Sequence, residues 1–260
     1  TLSILAKCKE YIDKLYPERE FELERIPVTD EETYRCFQNS NTAAVFQFES
    51  EGMRQLLRQA RPDRLEDLVA LNALYRPGPM DLIPSFIARK FGREKVEYLD
   101  ERMAPVLSET YGIMVYQEQV MRVAQVVGGY SLGGADLLRR AMGKKNVEEM
   151  KRQRAVFVKG AGERGVKASV ATEIFNLMEK FAGYGFNKSH AAAYSYVAYQ
   201  TAYLKANFPA QYMAAVMSRS LANITDITKL MSECKSIGIN TLGPDVNISR
   251  RKFSVDVDGN

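Results

Sequence analysis

The sequence contains no tryptophan, one histidine and only three cysteines among 260 residues. A single histidine cannot build a multi-histidine metal site. Cys8, Cys36 and Cys234 are odd in number and far apart, so they indicate neither a disulfide framework nor a zinc cluster. No apolar run approaches the roughly 20 residues that span a bilayer, and no signal peptide opens the chain. These absences exclude a disulfide scaffold and predict a cytoplasmic protein with no membrane partner.

The overall composition is that of a globular protein, with 46% hydrophobic and 26% charged residues. The length suffices for a sizeable core in one large domain or two small ones. The net charge of +4 is concentrated, because residues 139–167 hold ten Lys and Arg against three Glu, a local balance of +7. Such a segment is typical of a polyanion-binding surface or of a solvated helix face, and charge alone does not separate the two.

Most of the chain has helical periodicity. The apolar spacing predicts a first helix that Pro17 closes, a capping box over 29–32, and further helices capped by Ser50 and Asp63. The second of these is expected to end before Arg76. Seven longer helical patterns are predicted over 117–127, 133–142, 147–160, 168–182, 190–206, 210–221 and 226–237. Two short segments, 44–48 and 112–116, have the composition of strands.

The pattern changes near the C-terminal end, where Gly243 and Pro244 lead toward a terminal strand and a hairpin turn without its second strand. We therefore predict a mainly α protein with a few short β-strands and a truncated C-terminal hairpin. A helical domain is expected over residues 1–238 and the start of a small following subdomain over 239–260. Because the chain opens at Thr1 without a methionine, it is expected to be a piece of a longer protein.

Two arginines follow a glycine-rich segment at 128–136. Glycine pairs allow tight turns and close approach of a ligand, and the helix that follows offers free N–H groups. Arg139 and Arg140 lie on that helix, with Lys144 one turn after Arg140. Guanidinium groups, an ammonium group and a helix start suit a triphosphate. Asp136 is interpreted as a first-turn cap rather than a catalytic acid.

A second motif, at 183–190, reads Gly-Tyr-Gly-Phe-Asn-Lys-Ser-His. It is not a P-loop, because Asn187 and Ala182 occupy the positions where that loop needs glycine. Lys188 and His190 begin the next helix. They are either part of an ordinary helix cap or donors to a nucleotide's phosphates, sugar and base.

A third motif is the rigid turn around Pro77, Gly78 and Pro79, which presents Tyr75 and Arg76. By itself this turn could be a structural corner. A further segment, 116–119, begins a helix. There Glu118 is interpreted as a helix-start charge rather than a general base.

Five segments, taken in order, resemble the α subunit of the bacterial replicative DNA polymerase III, a C-family polymerase. They are FQFESEGM at 46–53, ALYRPGP at 73–79, YGIMVYQEQVM at 111–121, GYSLGGADLLRRAMGKK at 129–145 and FAGYGFNKSHAAAY at 181–194. The resemblance extends essentially from end to end. In that family this stretch is the mostly helical fingers domain, which follows the palm domain.

The resemblance implies two sets of site residues. Those expected to bind the triphosphate of the incoming dNTP are Arg139, Arg140, Lys144, Lys145, Lys188 and His190. Those expected to contact the nascent base pair or the DNA are Tyr75, Arg76, Asn187 and Ser189. No catalytic residue and no metal ligand is assigned here, because the family's metal-binding aspartates belong to the palm, upstream of Thr1.

The resemblance also implies the wider setting of the chain. The complete protein is expected to be a DNA-directed DNA polymerase that uses dNTP substrates and Mg²⁺ bound by the palm, while this part alone is expected to be inactive. Expected partners are primer–template DNA, the rest of the polymerase chain and other replicase subunits, including the sliding clamp. Two alternatives remain at this point. One is a non-catalytic nucleic-acid-binding module, and the other is a helical interaction scaffold with a basic, solubilising surface.

Overall fold

A computed structural model describes residues 1–144, 147–182 and 185–256. Within these residues the regular structure consists of thirteen α-helices and four short 3₁₀ helices. The α-helices are α1 (Leu2–Leu15), α2 (Glu31–Gln38), α3 (Glu51–Ala60), α4 (Leu65–Leu74), α5 (Ile83–Lys90), α6 (Ala104–Leu107), α7 (Gln117–Val126), α8 (Leu132–Lys144), α9 (Val147–Gly162), α10 (Ala168–Ala182), α11 (Lys188–Asn207), α12 (Pro209–Met217) and α13 (Ile224–Ser236). Among the described helices, none has both the length and the apolar character of a membrane-spanning segment.

The helices divide between two compact units. The first unit comprises Thr1–Leu65 and the described residues from Tyr194 onward, and the second comprises Glu66–Ala193. In the first unit α1 packs against α12, α2 against α3, and α12 against α13. In the second unit α9 packs against α10, and α7 contacts both α8 and α10. Every predicted site residue belongs to the second unit. The predicted domain boundary near residue 239 stays a prediction.

The long helical patterns are confirmed for six of the seven segments, each within two residues at both ends. The exception is α12, which ends at Met217 rather than near residue 221. After it, the N–H groups of Arg219 and Ser220 bond to carbonyls only three residues back, and Asn223 then caps α13 by accepting from the N–H of Asp226 at 3.2 Å. The chain therefore turns before it starts a new helix.

The strand predictions are wrong, since no strand is present in the described residues. In the 44–48 segment, Ala44 and Gln47 have φ values of 62° and 65°, which lie in the left-handed region and break an extended chain. The N–H groups of Val45 and Phe48 bond to carbonyls three residues back and close successive turns. The apolar residues that suggested a strand instead serve the core, because Val45 and Phe48 are fully buried.

The strand prediction for the 112–116 segment is wrong for a different reason. Two of its backbone N–H groups donate to a side chain and not to a neighbouring strand. Oε1 of Gln119 accepts from the N–H groups of Val115 at 2.8 Å and of Tyr116 at 3.0 Å. In the described part of the chain this segment keeps one isolated parallel bridge, between Tyr116 and Phe186. The predicted terminal hairpin is likewise not seen. Residues 253–256 form no strand, and 257–260 lie outside the described residues.

The cysteines are structural residues of the first unit. Cys8, Cys36 and Cys234 are buried and unbridged. Burial raises the pKa of all three thiols, that of Cys36 to about 11. Because the thiolate is the reactive form, these side chains act as small apolar core residues at neutral pH.

The core of the second unit forms where α9 and α10 meet. Phe157 and Phe175 are fully buried, with ring centroids 5.6 Å apart. Beside them the backbones approach closely, because a β-carbon at Gly160 would lie 2.1 Å from the carbonyl oxygen of Gly128. Gly160 is therefore required for space rather than for a special backbone angle.

We expect Gly160→Ala to destabilise the protein by about 1–3 kcal/mol, because the added methyl group meets a backbone oxygen that cannot rotate away. Gly162→Ala on the same helix is the matched control, since a β-carbon there has nothing within 4 Å. Alanine also has the higher helix propensity, so the control should be neutral or slightly stabilising. Urea unfolding followed by circular dichroism measures both variants. Equal unfolding midpoints would contradict the packing argument.

The N-terminal cap of α2 differs from the prediction by one residue. The capping box was expected over 29–32, but the cap is Asp30. Its Oδ2 accepts from the N–H of Thr33 at 2.8 Å and from the hydroxyl at 2.6 Å. The predicted Ser50 cap of α3 is confirmed, with Oγ accepting from the N–H of Met53 at 3.3 Å. Both caps satisfy donors that the first helical turn leaves without a partner.

The Asp30 cap should make stability depend on pH. Burial alone would raise the pKa of Asp30, but hydrogen bonds from Thr33 and Asn207 outweigh it and lower the pKa in the folded state. The contribution of the cap is thus present above the unfolded-state pKa of about 3.9 and is lost as pH falls through the lower folded value.

We expect Asp30→Ala to cost about 0.5–2 kcal/mol at pH 7, and the gap from wild type to shrink below about pH 4. Ser50→Ala is the control, because its cap carries no titratable group and its cost should not vary with pH. Urea unfolding at several pH values between 3 and 7 tests this expectation. A gap that is constant for Asp30→Ala would show that the ionised carboxylate is not what caps α2.

Candidate nucleotide-binding site

The bridge between Tyr116 and Phe186 joins two of the predicted motifs. The N–H of Gln117 donates to the carbonyl of Phe186 at 3.0 Å, and the N–H of Phe186 donates to the carbonyl of Val115 at 3.2 Å. These two bonds bring the start of α7 beside the segment that precedes α11.

Arg76 lies against the same segment. Its guanidinium carbon is 4.2 Å from the ring centroid of Phe186, and its Nε donates to the carbonyl of Ala73 at 2.9 Å. Burial lowers the pKa of Arg76, although a guanidinium group remains charged at neutral pH. Gly78, with φ of 100°, makes the turn that follows Arg76. Tyr75 is half-buried directly after α4.

The N-terminus of α11 is capped by two side chains. Oδ1 of Asn187 accepts from the N–H of His190 at 2.8 Å. The carboxylate of Glu118 accepts from the N–H of Lys188 at 2.9 Å and from the amide of Asn187 at 2.7 Å. Glu118 thus serves a helix start, as predicted, but the start of α11 rather than only that of its own helix α7. The helix terminus where we predicted phosphate contacts carries a carboxylate.

The side chains of the first turn of α11 point to different partners. Nζ of Lys188 donates to both carboxylate oxygens of Glu109, at 2.8 and 2.7 Å, and lies 5.6 Å from the ring centroid of Tyr116. The ring of His190 packs edge-on against Phe186 with centroids 5.3 Å apart. Ser189 is exposed between them.

Arg139 and Arg140 share one acidic partner. Nε and Nη2 of Arg139 donate to Oδ1 of Asp136 at 3.0 and 2.8 Å, while Nε of Arg140 lies 2.8 Å from Oδ2. Nη1 of Arg139 also donates to Oε1 of Gln117 at 3.3 Å. The hydrogen bond from Arg139 is the main cause that lowers the pKa of Asp136. Asp136 is thus the counter-ion of both arginines, whereas the sequence indicated only a helix cap.

The two lysines predicted beside these arginines cannot be placed at the site. Lys144 is the last residue of α8, and its side chain lies outside the described part of the chain, as does Lys145. Further along the basic segment, three described cations of α9 pair with nearby acids. These pairs are Lys151–Glu148 at 3.3 Å, Arg152–Glu149 at 2.7 Å and Arg154–Glu179 at 2.8 Å. Such pairing favours a solvated helix face for α9.

The structure brings three separate motifs together around one aromatic residue. Phe186 contacts Arg76 and His190 through its ring, and its carbonyl binds the backbone of Gln117, whose side chain binds Arg139. Arg76, which follows α4, Arg139 of α8 and His190 of α11 are therefore connected through Phe186 and Gln117. Such an arrangement of guanidinium groups, an imidazole ring and an aromatic ring can bind an anion that carries a planar base.

Several of these residues were missed by reasoning from the sequence. Gln117 and Phe186 lie inside the motifs but were given no role, because nothing local indicates which partner they meet. Glu109 has no sequence signal at all. The role of Asp136 did have a signal, since it precedes the two arginines by three and four residues, the spacing of helical ion pairs.

No metal centre is apparent in the described ranges, where no three His, Cys, Asp or Glu side chains are grouped so that they could hold an ion.

Comparison with known proteins gives a consistent result. Residues 1–165 match the family described as the bacterial DNA polymerase III alpha subunit finger domain. The chain is 51% identical over 259 residues to the DNA polymerase III subunit alpha of Borreliella burgdorferi, covering 100% of this chain and 22% of that protein. It is 57% identical over 229 residues to that of Xylella fastidiosa, covering 88% and 19%, and 49% identical over 269 residues to that of Escherichia coli, covering 100% and 23%.

The matched family model covers well over half of the chain. The chain belongs to the finger-domain family of bacterial DNA polymerase III alpha subunits. It spans about a fifth of the length of the relatives that it matches.

Proposed function

We propose that this chain is the fingers part of a replicative DNA polymerase and that its second unit binds the triphosphate of the incoming dNTP. The observation that carries the proposal is the convergence of Arg139 and Arg140 on the two oxygens of a single anion, the Asp136 carboxylate. Two guanidinium groups arranged on one anion are suited to grip adjacent phosphate oxygens.

Other residues would complete the nucleotide site. Lys188 and His190 would add donors for the phosphates, as would Lys144 and Lys145. Tyr75, Arg76, Asn187 and Ser189 would contact the nascent base pair or the DNA. Phe186 supports a single site made by both sets, because its ring contacts Arg76 from one set and His190 from the other.

The chemical step would take place elsewhere in the complete protein. Phosphoryl transfer needs metal ions held by carboxylates, together with cations on the leaving pyrophosphate. We propose that palm aspartates hold Mg²⁺ and that this chain supplies the cations. The partners would be primer–template DNA, the rest of the polymerase chain and other replicase subunits such as the sliding clamp, in the cytoplasm. The isolated chain would then have no polymerase activity.

A binding experiment tests the proposal on the complete α subunit. Inorganic triphosphate and a short single-stranded oligonucleotide are titrated separately into wild type and a Lys144→Glu, Lys145→Glu variant. Charge reversal should weaken triphosphate binding several-fold, because it replaces two attractive charges by two repulsive ones. If only oligonucleotide binding weakens, with a steep salt dependence and no preference for triphosphate, the chain is a non-catalytic nucleic-acid-binding module instead. If neither ligand shows salt-dependent binding, the basic segment is a solubilising surface.

A further inference from the structure

The cations proposed to bind phosphate already hold carboxylates. Oδ1 of Asp136 accepts two bonds from Arg139, at 3.0 and 2.8 Å, and Oδ2 lies 2.8 Å from Nε of Arg140. Each oxygen of this carboxylate therefore serves one guanidinium group, which is the arrangement that two oxygens of a phosphate group would adopt.

The same pattern recurs at Lys188. Its ammonium group donates to both carboxylate oxygens of Glu109, at 2.8 and 2.7 Å. Two separate helices, α8 and α11, thus present their phosphate-directed cations to an acidic side chain of the same unit. An acidic residue that pairs with a phosphate-binding cation opposes phosphate binding. Such a residue is nevertheless present at both places, Asp136 on α8 and Glu109 beside α11.

Arg139 and Arg140 on α8 can readily exchange the Asp136 carboxylate for another anion. The side chain of Asp136 is 31% exposed, that of Arg139 28% and that of Arg140 64%. Ion pairs in contact with water contribute little to stability, so replacing this carboxylate costs little. A triphosphate brings more charge and more acceptor oxygens than one carboxylate does. Arg139 would meanwhile keep its second partner, Oε1 of Gln117.

We propose that Asp136 is an internal substitute for phosphate, which holds Arg139 and Arg140 in position until nucleotide binds and competes with the triphosphate for them. This inference rests on the proposed function of the two arginines. This competition weakens the binding of every anion to the two arginines. Singly charged anions are affected most, because they offer no more charge than the carboxylate that they must displace. After phosphoryl transfer, Asp136 would take the arginines back and so favour release of pyrophosphate.

The test uses Asp136→Asn in the complete α subunit, with inorganic triphosphate as the probe. Asparagine keeps the shape and one acceptor oxygen but removes the charge. We expect the variant to bind triphosphate about two- to fivefold more tightly at low salt, the range that an exposed ion pair accounts for, and the gain to shrink as salt increases. Asp13→Asn is the matched control. Asp13 pairs with Lys9 at 2.8 Å on α1 of the first unit, so its loss removes an equal charge from a pair that involves no predicted site residue.

Three results are distinguishable when Arg139→Ala is measured beside these variants. Tighter binding by Asp136→Asn but not by Asp13→Asn, with weaker binding by Arg139→Ala, supports the inference. Unchanged or weaker binding by Asp136→Asn, with Arg139→Ala still weaker than wild type, overturns the inference and leaves the proposed function intact. In that case Asp136 only positions the arginines. If Arg139→Ala binds triphosphate as wild type does, the proposed function fails and the inference fails with it.

Discussion

Replacing Arg139 by alanine in the complete α subunit is expected to lower kcat/KM for dNTP incorporation by about 10- to 150-fold. A hydrogen bond to a charged group contributes about 1.5–3 kcal/mol, and each 1.4 kcal/mol corresponds to a factor of ten. Arg140→Ala should have an effect of similar size, because both guanidinium groups converge on the same anion position. Steady-state primer extension with one dNTP varied measures both variants.

A third arginine provides the control for this expectation. Arg152 on α9 pairs with Glu149 at 2.7 Å in the same three-residue spacing that joins Asp136 to Arg139. Arg152→Ala removes an equal charge at a position where the cation pairs with an acid of its own helix α9, so kcat/KM should stay near that of wild type. Arg139→Lys adds a further comparison, since it keeps the charge but loses the guanidinium fork. Wild-type kinetics for both Arg139→Ala and Arg140→Ala would show that the phosphate-binding assignment is wrong.

Replacing Asp67 by alanine is expected to cost about 3–5 kcal/mol of folding free energy. Asp67 on α4 pairs with Lys90 at the end of α5, and the two side chains are only 1% and 6% exposed. Oδ1 of Asp67 also accepts from the hydroxyl of Tyr111 at 3.0 Å. The substitution removes a carboxylate that is paired with a buried ammonium group, so the desolvated charge of Lys90 loses this attraction. Urea unfolding should show the loss as a lower midpoint.

Two comparisons make this stability prediction specific. Glu97→Ala breaks the Lys95–Glu97 pair, whose side chains are 72–83% exposed, and should leave the unfolding midpoint almost unchanged. The double variant Asp67→Leu, Lys90→Met replaces the buried pair by apolar groups of similar size and should recover most of the loss. A double variant as unstable as Asp67→Ala would show that the hydrogen bonds accepted by the carboxylate from Lys90 and Tyr111, not an unpaired charge, account for the loss.

The helices were predictable because their determinants are local. Ser50 satisfies the first turn of α3 from its own sequence neighbourhood, and the apolar spacing of α10 alone predicts its bounds at 168 and 182. Even the error at α2 is small, since Thr29 and Asp30 both carry a capping oxygen and the N-cap is the second of them.

The strand predictions failed because their determinants are not local. Residues 44–48 and 112–116 have strand composition, yet a strand needs a neighbouring strand to take its backbone hydrogen bonds. At Val115 the partner is the side chain of Gln119, and at 44–48 successive turns take the N–H groups. The apolar residues of these two segments pack into the core although their backbone is irregular.

The sequence by itself determined the helical class, most helix boundaries, the family resemblance and the candidate cations Arg139, Arg140 and Lys188, because spacing, capping and composition act within a few residues. Only the tertiary structure decided which groups these cations meet. Gln117, Glu109 and Phe186 come from segments that are distant in sequence, and Asp136 changes from a helix cap to a shared counter-ion once its side chain is placed. Charge partners depend on distances of about 3 Å, which only the packing of helices from different parts of the chain sets.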